Sequence, residues 1–151
     1  MPYIRENRDE IEGVGVNIDE PHCGVFEHFE IKYCSAHELP WEDEYFDCVI
    51  SVSMLEHDPM FWLSVEKMRR VLKKGAPMII GVPGFVNFKS CVIKKWSYSE
   101  GHGTACYKTH GDPDCYRFSP HFFEYYAYKG FSDLQIYVAK MPPRLIGIGY
   151  K

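Results

Sequence analysis

The sequence lacks an excess of positive charge, a long apolar segment and an apolar stretch behind its charged N-terminus. Lys and Arg number 17 against 21 Asp and Glu, a formal net charge of −4, so no basic footprint for a nucleic-acid backbone is present. The longest apolar stretch, Ala76–Val86, is interrupted by glycine and proline and is shorter than the roughly 20 residues that cross a bilayer. No apolar segment follows the charged N-terminus. These absences predict a cytoplasmic protein that binds neither nucleic acid nor membrane.

Dense cysteine spacing, internal repeats and low-complexity tracts are also missing. The six cysteines, Cys23, Cys34, Cys48, Cys91, Cys106 and Cys115, are spread along the chain, unlike the framework of a small disulfide-rich scaffold. We therefore predict reduced thiols, with Cys48 buried in its apolar run. At 151 residues, with 46% hydrophobic and 25% charged residues, the chain is predicted to form a single globular domain over residues 1–151.

Segments with strand and helix patterns alternate along the first half of the chain. The predicted strands are Val14–Ile18, Phe29–Tyr33, Phe46–Val52 and Met78–Val82. Between the last two, a helix is predicted with Asp58 as its cap, Pro59 in its first turn and Gly75 at its end. Its apolar residues on one face are Phe61, Val65, Met68 and Leu72. The order strand, helix, strand indicates a right-handed parallel crossover and therefore an α/β fold.

The second half begins with a segment of irregular composition. Gly84–Arg117 has no sustained period and is predicted to be a long excursion over the functional end of the sheet. A last helix is predicted from a Ser119 cap to Gly130, followed by strands near Leu134–Val138 and Leu145–Tyr150.

Two segments, Ala36–His57 and Glu66–Gly84, resemble the class I S-adenosylmethionine-dependent methyltransferases. In that family a loop reading L-P precedes an F-D-x-V strand, a turn ending in E-H and a helix ending in R-V-L-K-x-G-G. The corresponding residues here are Leu39-Pro40, Phe46-Asp47-Cys48-Val49, Glu56-His57 and Arg70–Ala76. Thr109–Phe131 is similar to a further segment found in one branch of the family. The resemblance implies a Rossmann-like α/β sheet, mostly parallel, with an antiparallel C-terminal strand.

The resemblance also implies S-adenosylmethionine as the cofactor, bound outside the carboxyl ends of the strands. It places the cofactor-binding residues at Asn17, Asp19, Ser35, Ala36, Ser51, Ser53 and Met54. Asn17 corresponds to the residue that binds the ribose hydroxyls, with Asp19 on the same strand face as a substitute, and Ser35 with Ala36 flanks the adenine. Because Asn17 and Ser35 stand where the family usually has acidic residues, their hydrogen bonds to the cofactor are expected to be weaker.

Several residues are candidates for contact with the methyl acceptor. His57 is either a general base that removes a proton from the acceptor or a turn residue that hydrogen-bonds backbone. The resemblance places His110, Tyr116 and Arg117 at the acceptor pocket, with Asp114 beside them. Arg117 either clamps a carboxylate or phosphate of the substrate or braces its own loop through an acidic neighbour. For His57 and for Arg117, both interpretations remain open.

One array of metal-ligand residue types lies in the irregular segment. His102, Cys106, His110 and Cys115 offer four ligands that suit zinc, but their spacing is not that of a known zinc finger. A glycine-rich substrate loop explains the same residues, and we predict no metal site.

The family's first strand and its G-x-G-x-G turn have no counterpart, because Gly13-Val14-Gly15 lies inside a predicted strand. The expected fold is therefore N-terminally truncated, and two functions remain open. The first is methyl transfer to a small-molecule acceptor, and the alternative is a non-catalytic remnant that acts as an interaction module. A nicotinamide-dependent oxidoreductase is disfavoured because no dinucleotide fingerprint is present. The aromatic residues of the last predicted helix make a homo-oligomer plausible.

Overall fold

The computed structural model of the chain describes residues 12–26, 29–84, 114–140 and 143–151. Its contacts divide the chain into two compact units, Met1–Pro40 and Trp41–Lys151, and each unit is described by itself. The expectation of a single domain stays a prediction. The predicted absence of an earlier strand concerns residues 1–11, and most of the irregular segment is 85–113; both lie outside the described residues.

The first unit contains a three-stranded sheet. Strand β1 (Gly13–Asn17) pairs in parallel with β3 (Phe29–Tyr33), and the short β2 (Gly24–Val25) pairs antiparallel with β3, giving the order β1-β3-β2. A 3-10 helix, Glu20–His22, follows β1. Both strands predicted in this region are confirmed, and Asn17 ends β1 as the resemblance implies.

The second unit contains a four-stranded mixed sheet. Its strands are β4 (Val49–Val52), β5 (Pro77–Pro83), β6 (Ser132–Lys140) and β7 (Pro143–Tyr150). The order is β4-β5-β7-β6. Strands β4 and β5 are parallel, and β7 runs antiparallel to both of its neighbours. The parallel crossover and the antiparallel C-terminal strand are therefore confirmed, and the α/β class with them.

Helix α1 (Phe61–Val71) connects β4 to β5 and covers one face of the sheet. Val65, Met68 and Leu72 are buried in the core together with β5 residues, as their helical spacing predicts. Gly75 has a φ of 75°, a left-handed conformation that glycine adopts at low cost. Its amide donates to the Lys151 carbonyl at 2.7 Å, so the glycine after the helix also anchors the C-terminus.

The last predicted helix is only partly α-helical. Helix α2 covers Pro120–Phe122, and a π-helical turn follows over Phe123–Ala127. The Tyr128 amide donates to the Phe123 carbonyl at 3.0 Å, an i to i+5 bond. This wider turn places the Phe123 and Tyr128 rings over Gly147, where an added Cβ would lie 2.4 Å from Phe123 Cδ1. The glycine therefore makes room for both rings.

Three local predictions are wrong. The strand predicted from Phe46 begins only at Val49, because the Phe46 amide bonds the Val71 carbonyl at the end of α1 instead of β5. Cys48 consequently precedes the sheet and is exposed. Helix α1 begins at Phe61 and not at Pro59, since the Asp58 carboxylate accepts from the Met60 amide at 2.8 Å and closes a separate turn before the helix.

Candidate active site

The carboxyl ends of β4 and β5 lie side by side and bring polar groups together. The Ser53 amide donates to the Gly81 carbonyl of β5 at 2.9 Å, and Ser53 itself has a φ of 54°. This left-handed conformation is costly for a residue other than glycine and is often kept at functional sites. Arg144 of β7 donates from Nη1 to Ser53 Oγ at 2.6 Å. The turn after β4 is therefore held from two neighbouring strands.

Ser51 is the buried polar residue of β4. Its Oγ makes no hydrogen bond within the described part of the chain, and its exposure is 7%. Leaving a buried hydroxyl unsatisfied costs about 1–3 kcal/mol. Such an atom near the end of a parallel strand is suited to binding a ligand, because ligands of open α/β sheets bind outside that edge.

A cluster of ionisable side chains surrounds the turn between β4 and α1. His57 Nδ1 lies 3.3 Å from Asp114 Oδ1, and His57 Nε2 lies 3.8 Å from Glu56 Oε1. The other Asp114 oxygen accepts from the Arg117 guanidinium. The side chains of Asp114 and Arg117 are 3% and 7% exposed, against 29% for His57. His57 is thus the member of this cluster that solvent reaches most easily.

Glu56 is the fully buried acid of the cluster, with an exposure of 0%. Neither carboxylate oxygen makes a hydrogen bond among the described residues. Its backbone carbonyl, by contrast, accepts from the amides of Cys115 and Tyr116 at 2.7 and 3.1 Å. Those two bonds fix residues 114–117 against the turn after β4, and this is how Asp114 reaches His57 across 57 positions of sequence.

Aromatic packing holds the same segment on α1. The Tyr116 hydroxyl donates to the Pro59 carbonyl at 2.9 Å, and its ring meets Phe61 edge-to-face at 4.9 Å between centroids. Arg117 donates to the Tyr116 carbonyl as well as to Asp114. Of the two roles that the sequence allows for Arg117, this arrangement is the one in which it braces its own loop. A substrate role for Tyr116 and Arg117 stays a prediction, and His110 lies outside the described residues.

Four of the predicted cofactor-binding residues belong to the first unit. Asn17 Oδ1 accepts from the Asp19 amide at 2.9 Å, and the Asp19 carboxylate pairs with His22 Nδ1 at 2.7 Å. Ser35 Oγ accepts from the His37 amide at 3.1 Å, while Ala36 lies in the same turn after β3. These bonds shape the loops after β1 and β3 but leave the cofactor assignment of the four residues a prediction.

Metal binding has no support among the described residues. They contain no group of three or more His, Cys, Asp or Glu side chains arranged to hold a metal ion. Of the candidate array, only Cys115 is described, as an exposed free thiol, and His102, Cys106 and His110 lie outside the described ranges. Over those ranges, no helix has the length and hydropathy that crossing a membrane takes.

Two elements of the site were missed from the sequence. Arg144 lies in a strand that was predicted only from Leu145 onward, and no motif surrounds it. The burial of Glu56 was also missed, although its place in the E-H motif marks the position. A cation one residue before a predicted strand was the available signal for Arg144, and it is a weak one.

Comparison with known proteins agrees with this geometry. Residues 8–80 match the methyltransferase domain family. No curated protein matches the sequence. A SAM-dependent methyltransferase from Archaeoglobus fulgidus superposes with a TM-score of 0.72 at 16% identity, over 99% of this chain and 80% of that one. A SAM-dependent methyltransferase from Methanosarcina mazei gives 0.62 at 17% identity, over 97% and 85%.

The same fold also serves a different reaction. The (4+2)-cyclase SpnF superposes with a TM-score of 0.66 at 13% identity, over 100% of this chain and 71% of that one. Structural likeness at such identities therefore shows the fold and not the reaction. Residues 8–80 are thus similar in sequence to the methyltransferase domain family, and over nearly its whole length the chain has the fold of S-adenosylmethionine-dependent methyltransferases.

Proposed function

We propose that this protein binds S-adenosylmethionine and transfers its methyl group to an oxygen, nitrogen or carbon atom of a small-molecule acceptor. The observation that supports this most is the set of polar groups at the carboxyl ends of β4 and β5, in a chain with the methyltransferase fold. When bound, S-adenosylmethionine would supply an activated methyl group for transfer to the acceptor. The protein then mainly has to align the acceptor and accept its proton.

Ser51 supports the fit between this chain and the cofactor. Its buried Oγ has no hydrogen-bond partner in the described part of the chain, so a ligand oxygen or nitrogen there would satisfy it. By resemblance, Ser51, Ser53 and Met54 contact the sulfonium end. Asn17, Asp19, Ser35 and Ala36 are assigned in the same way to the ribose and adenine.

His57 is the proposed general base. Asp114 Oδ1 lies 3.3 Å from His57 Nδ1, and its negative charge favours the tautomer that carries its proton on Nδ1. Nε2 is then the basic nitrogen, and it takes the proton from an acceptor hydroxyl or amine. Asp114 is a positioning residue, and its other carboxylate oxygen accepts from the Arg117 guanidinium.

Replacing His57 tests the base. On an acceptor whose attacking atom carries a proton, His57→Gln should lower kcat roughly 100-fold or more, because general base catalysis contributes about that much. Affinity for the cofactor should stay unchanged. The matched control is His121→Gln, since His121 is exposed on α2 and should leave kcat within twofold. Equal rates for the two variants would refute the assignment.

Two serines test the cofactor site without an acceptor. Ser51→Ala removes a buried hydroxyl that has no partner among the described residues, so stability should hold while affinity for S-adenosylhomocysteine falls roughly tenfold. Ser64→Ala is the matched control, because the buried Ser64 Oγ donates to Asp58 Oδ2 at 2.6 Å. This second variant should lose about 1–3 kcal/mol of stability and keep its affinity. Calorimetric titration and urea unfolding measure both quantities, and the opposite pattern would contradict the site.

The proposal extends to compartment and partners. We place the activity in the cytoplasm and assign it a small-molecule substrate, with neither nucleic acid nor a membrane as partner. Self-association is part of the same proposal, and sedimentation measures it. A folded protein that fails to bind the cofactor would instead favour the non-catalytic interaction module.

A further inference from the structure

The second unit has a cavity whose wall includes Arg144, the residue that contacts Ser53. Its volume is about 150 Å³, and it is lined by Gly84, Phe118, Ser119, Pro120, Val138, Ala139, Arg144 and Leu145. The wall is mostly apolar, with Arg144 as its charged member and Ser119 as a hydroxyl. A cavity of this volume holds a molecule about the size of one six-membered ring.

Arg144 differs from Arg70 and Arg117 in having no acidic partner among the described residues. Arg70 pairs with Asp43, Arg117 pairs with Asp114, and Arg69 donates to three backbone carbonyls. Arg144 is only partly exposed, and its hydrogen bond is to the neutral Ser53 hydroxyl. No ion pair of Arg144 is found within the described ranges. A cation that is partly withdrawn from water and lacks a counter-charge is stabilised by an anionic ligand.

The cavity also has a defined place relative to the reaction. Arg144 Nη1 contacts Ser53 Oγ at 2.6 Å, and Ser53 is a residue assigned to the sulfonium end of the cofactor. Gly84 lies directly after β5 and borders the cavity. Because glycine has no side chain, this part of the cavity stays open; an added Cβ would lie 3.4 Å from Leu145 Cγ. A ligand in this cavity therefore lies at the same edge of the sheet as the proposed methyl donor.

We infer that this cavity binds the acceptor, and that the acceptor is a small carboxylic acid with an apolar body of about one ring. The guanidinium of Arg144 binds the carboxylate, and the apolar wall packs against the ring or branched chain. This inference rests on the proposed function for the role of the ligand, but the binding of the acid itself does not depend on methyl transfer.

Benzoate and benzamide are the probes, because they share shape and differ in charge. With the full chain, ligand-observed NMR titration should give benzoate about tenfold higher affinity than benzamide or more, since an arginine–carboxylate contact is charge-assisted. Arg144→Gln should remove that preference. Lys74→Gln removes the same charge at an exposed position away from the cavity and should keep it. Unfolding curves check that both variants are folded.

The outcomes separate this inference from the proposed function. Equal affinity for benzoate and benzamide, or no binding of either to the wild-type protein, overturns the inference whether or not Arg144→Gln folds. A benzoate preference that persists in folded Arg144→Gln overturns it as well. S-adenosylmethionine is titrated in parallel: cofactor binding without benzoate preference refutes only the acid site, and benzoate preference without cofactor binding refutes only the proposed function.

Discussion

The hydroxyl of Tyr128 joins two strands of the second sheet, and its removal has a calculable effect. Tyr128 is 2% exposed. Its Oη donates to the Gly147 carbonyl at 2.6 Å, and the Met78 carbonyl is a second acceptor at 3.1 Å. The same oxygen accepts from the Ile80 amide at 3.1 Å. Tyr128→Phe keeps the ring over the sheet and removes the hydroxyl alone. The substitution therefore isolates the hydrogen bonds from the packing.

The expected loss is the sum of two contributions. A donated hydrogen bond contributes about 0.5–1.5 kcal/mol net, and a buried amide left without its partner costs about 1–3 kcal/mol. Tyr128→Phe should therefore reduce the free energy of unfolding by about 1.5–4.5 kcal/mol. Urea unfolding followed by circular dichroism measures it, with the midpoint compared at constant m-value.

Tyr125 supplies the control for this experiment. It lies in the same helical segment, but it is 72% exposed, so Tyr125→Phe should change the free energy of unfolding by less than about 0.5 kcal/mol. If Tyr128→Phe also stays within that limit, the hydroxyl does not join the strands and the reasoning is refuted.

Three further predictions concern the same core. Gly147→Ala places a Cβ 2.4 Å from Phe123 Cδ1 and should lower the free energy of unfolding by about 1–3 kcal/mol through overpacking. In thermal melts, Gly84→Ala should keep a melting temperature near that of the wild type. Equal melting temperatures for the two variants would contradict the close packing of the rings on Gly147. Arg69→Gln removes hydrogen bonds to two carbonyls at the end of the π-helical turn and to the Lys129 carbonyl after it. It should lower the free energy of unfolding by about 1.5–3 kcal/mol, measured by urea unfolding, and no change would show that these bonds do not stabilise the fold. Burial raises the pKa of Tyr128, so the folded state keeps the proton that the unfolded state loses above about pH 10. Stability should fall as pH rises past that value, and the difference between wild type and Tyr128→Phe should shrink, whereas a constant difference to pH 11 would contradict the shift.

The strand–helix–strand core could be predicted because its signals are local. The apolar face of Val65, Met68 and Leu72 and the glycine after the helix require no knowledge of distant residues. Strand boundaries were less accurate. Phe46 continues the apolar run of β4, and only its hydrogen bond to Val71 shows that the sheet begins later.

The π-helical turn could not be predicted because its cause lies elsewhere in the chain. The i to i+5 bond from Tyr128 to Phe123 places two rings over Gly147 and Gly149, which an α-helical period would not do. The aromatic run in the sequence gives no hint of this, since the two glycines lie some twenty residues further on, in a strand.

In the candidate site, too, some features could be predicted from the local sequence and others depend on distant residues. The E-H motif marks His57 from the sequence, because the resemblance fixes its place after β4. Its approach to Asp114 depends on hydrogen bonds from residues 115 and 116 to the Glu56 carbonyl. Arg144 reaches Ser53 only through the pairing of β5 with β7. Neither long-range contact has a signature within a single segment.

Calorimetric titration of the folded chain, residues 1–151, with S-adenosylmethionine tests the central claim most directly. The account predicts saturable, one-to-one binding that S-adenosylhomocysteine competes away. Protein shown to be folded that releases or absorbs no heat with either compound at near-millimolar concentration would contradict it.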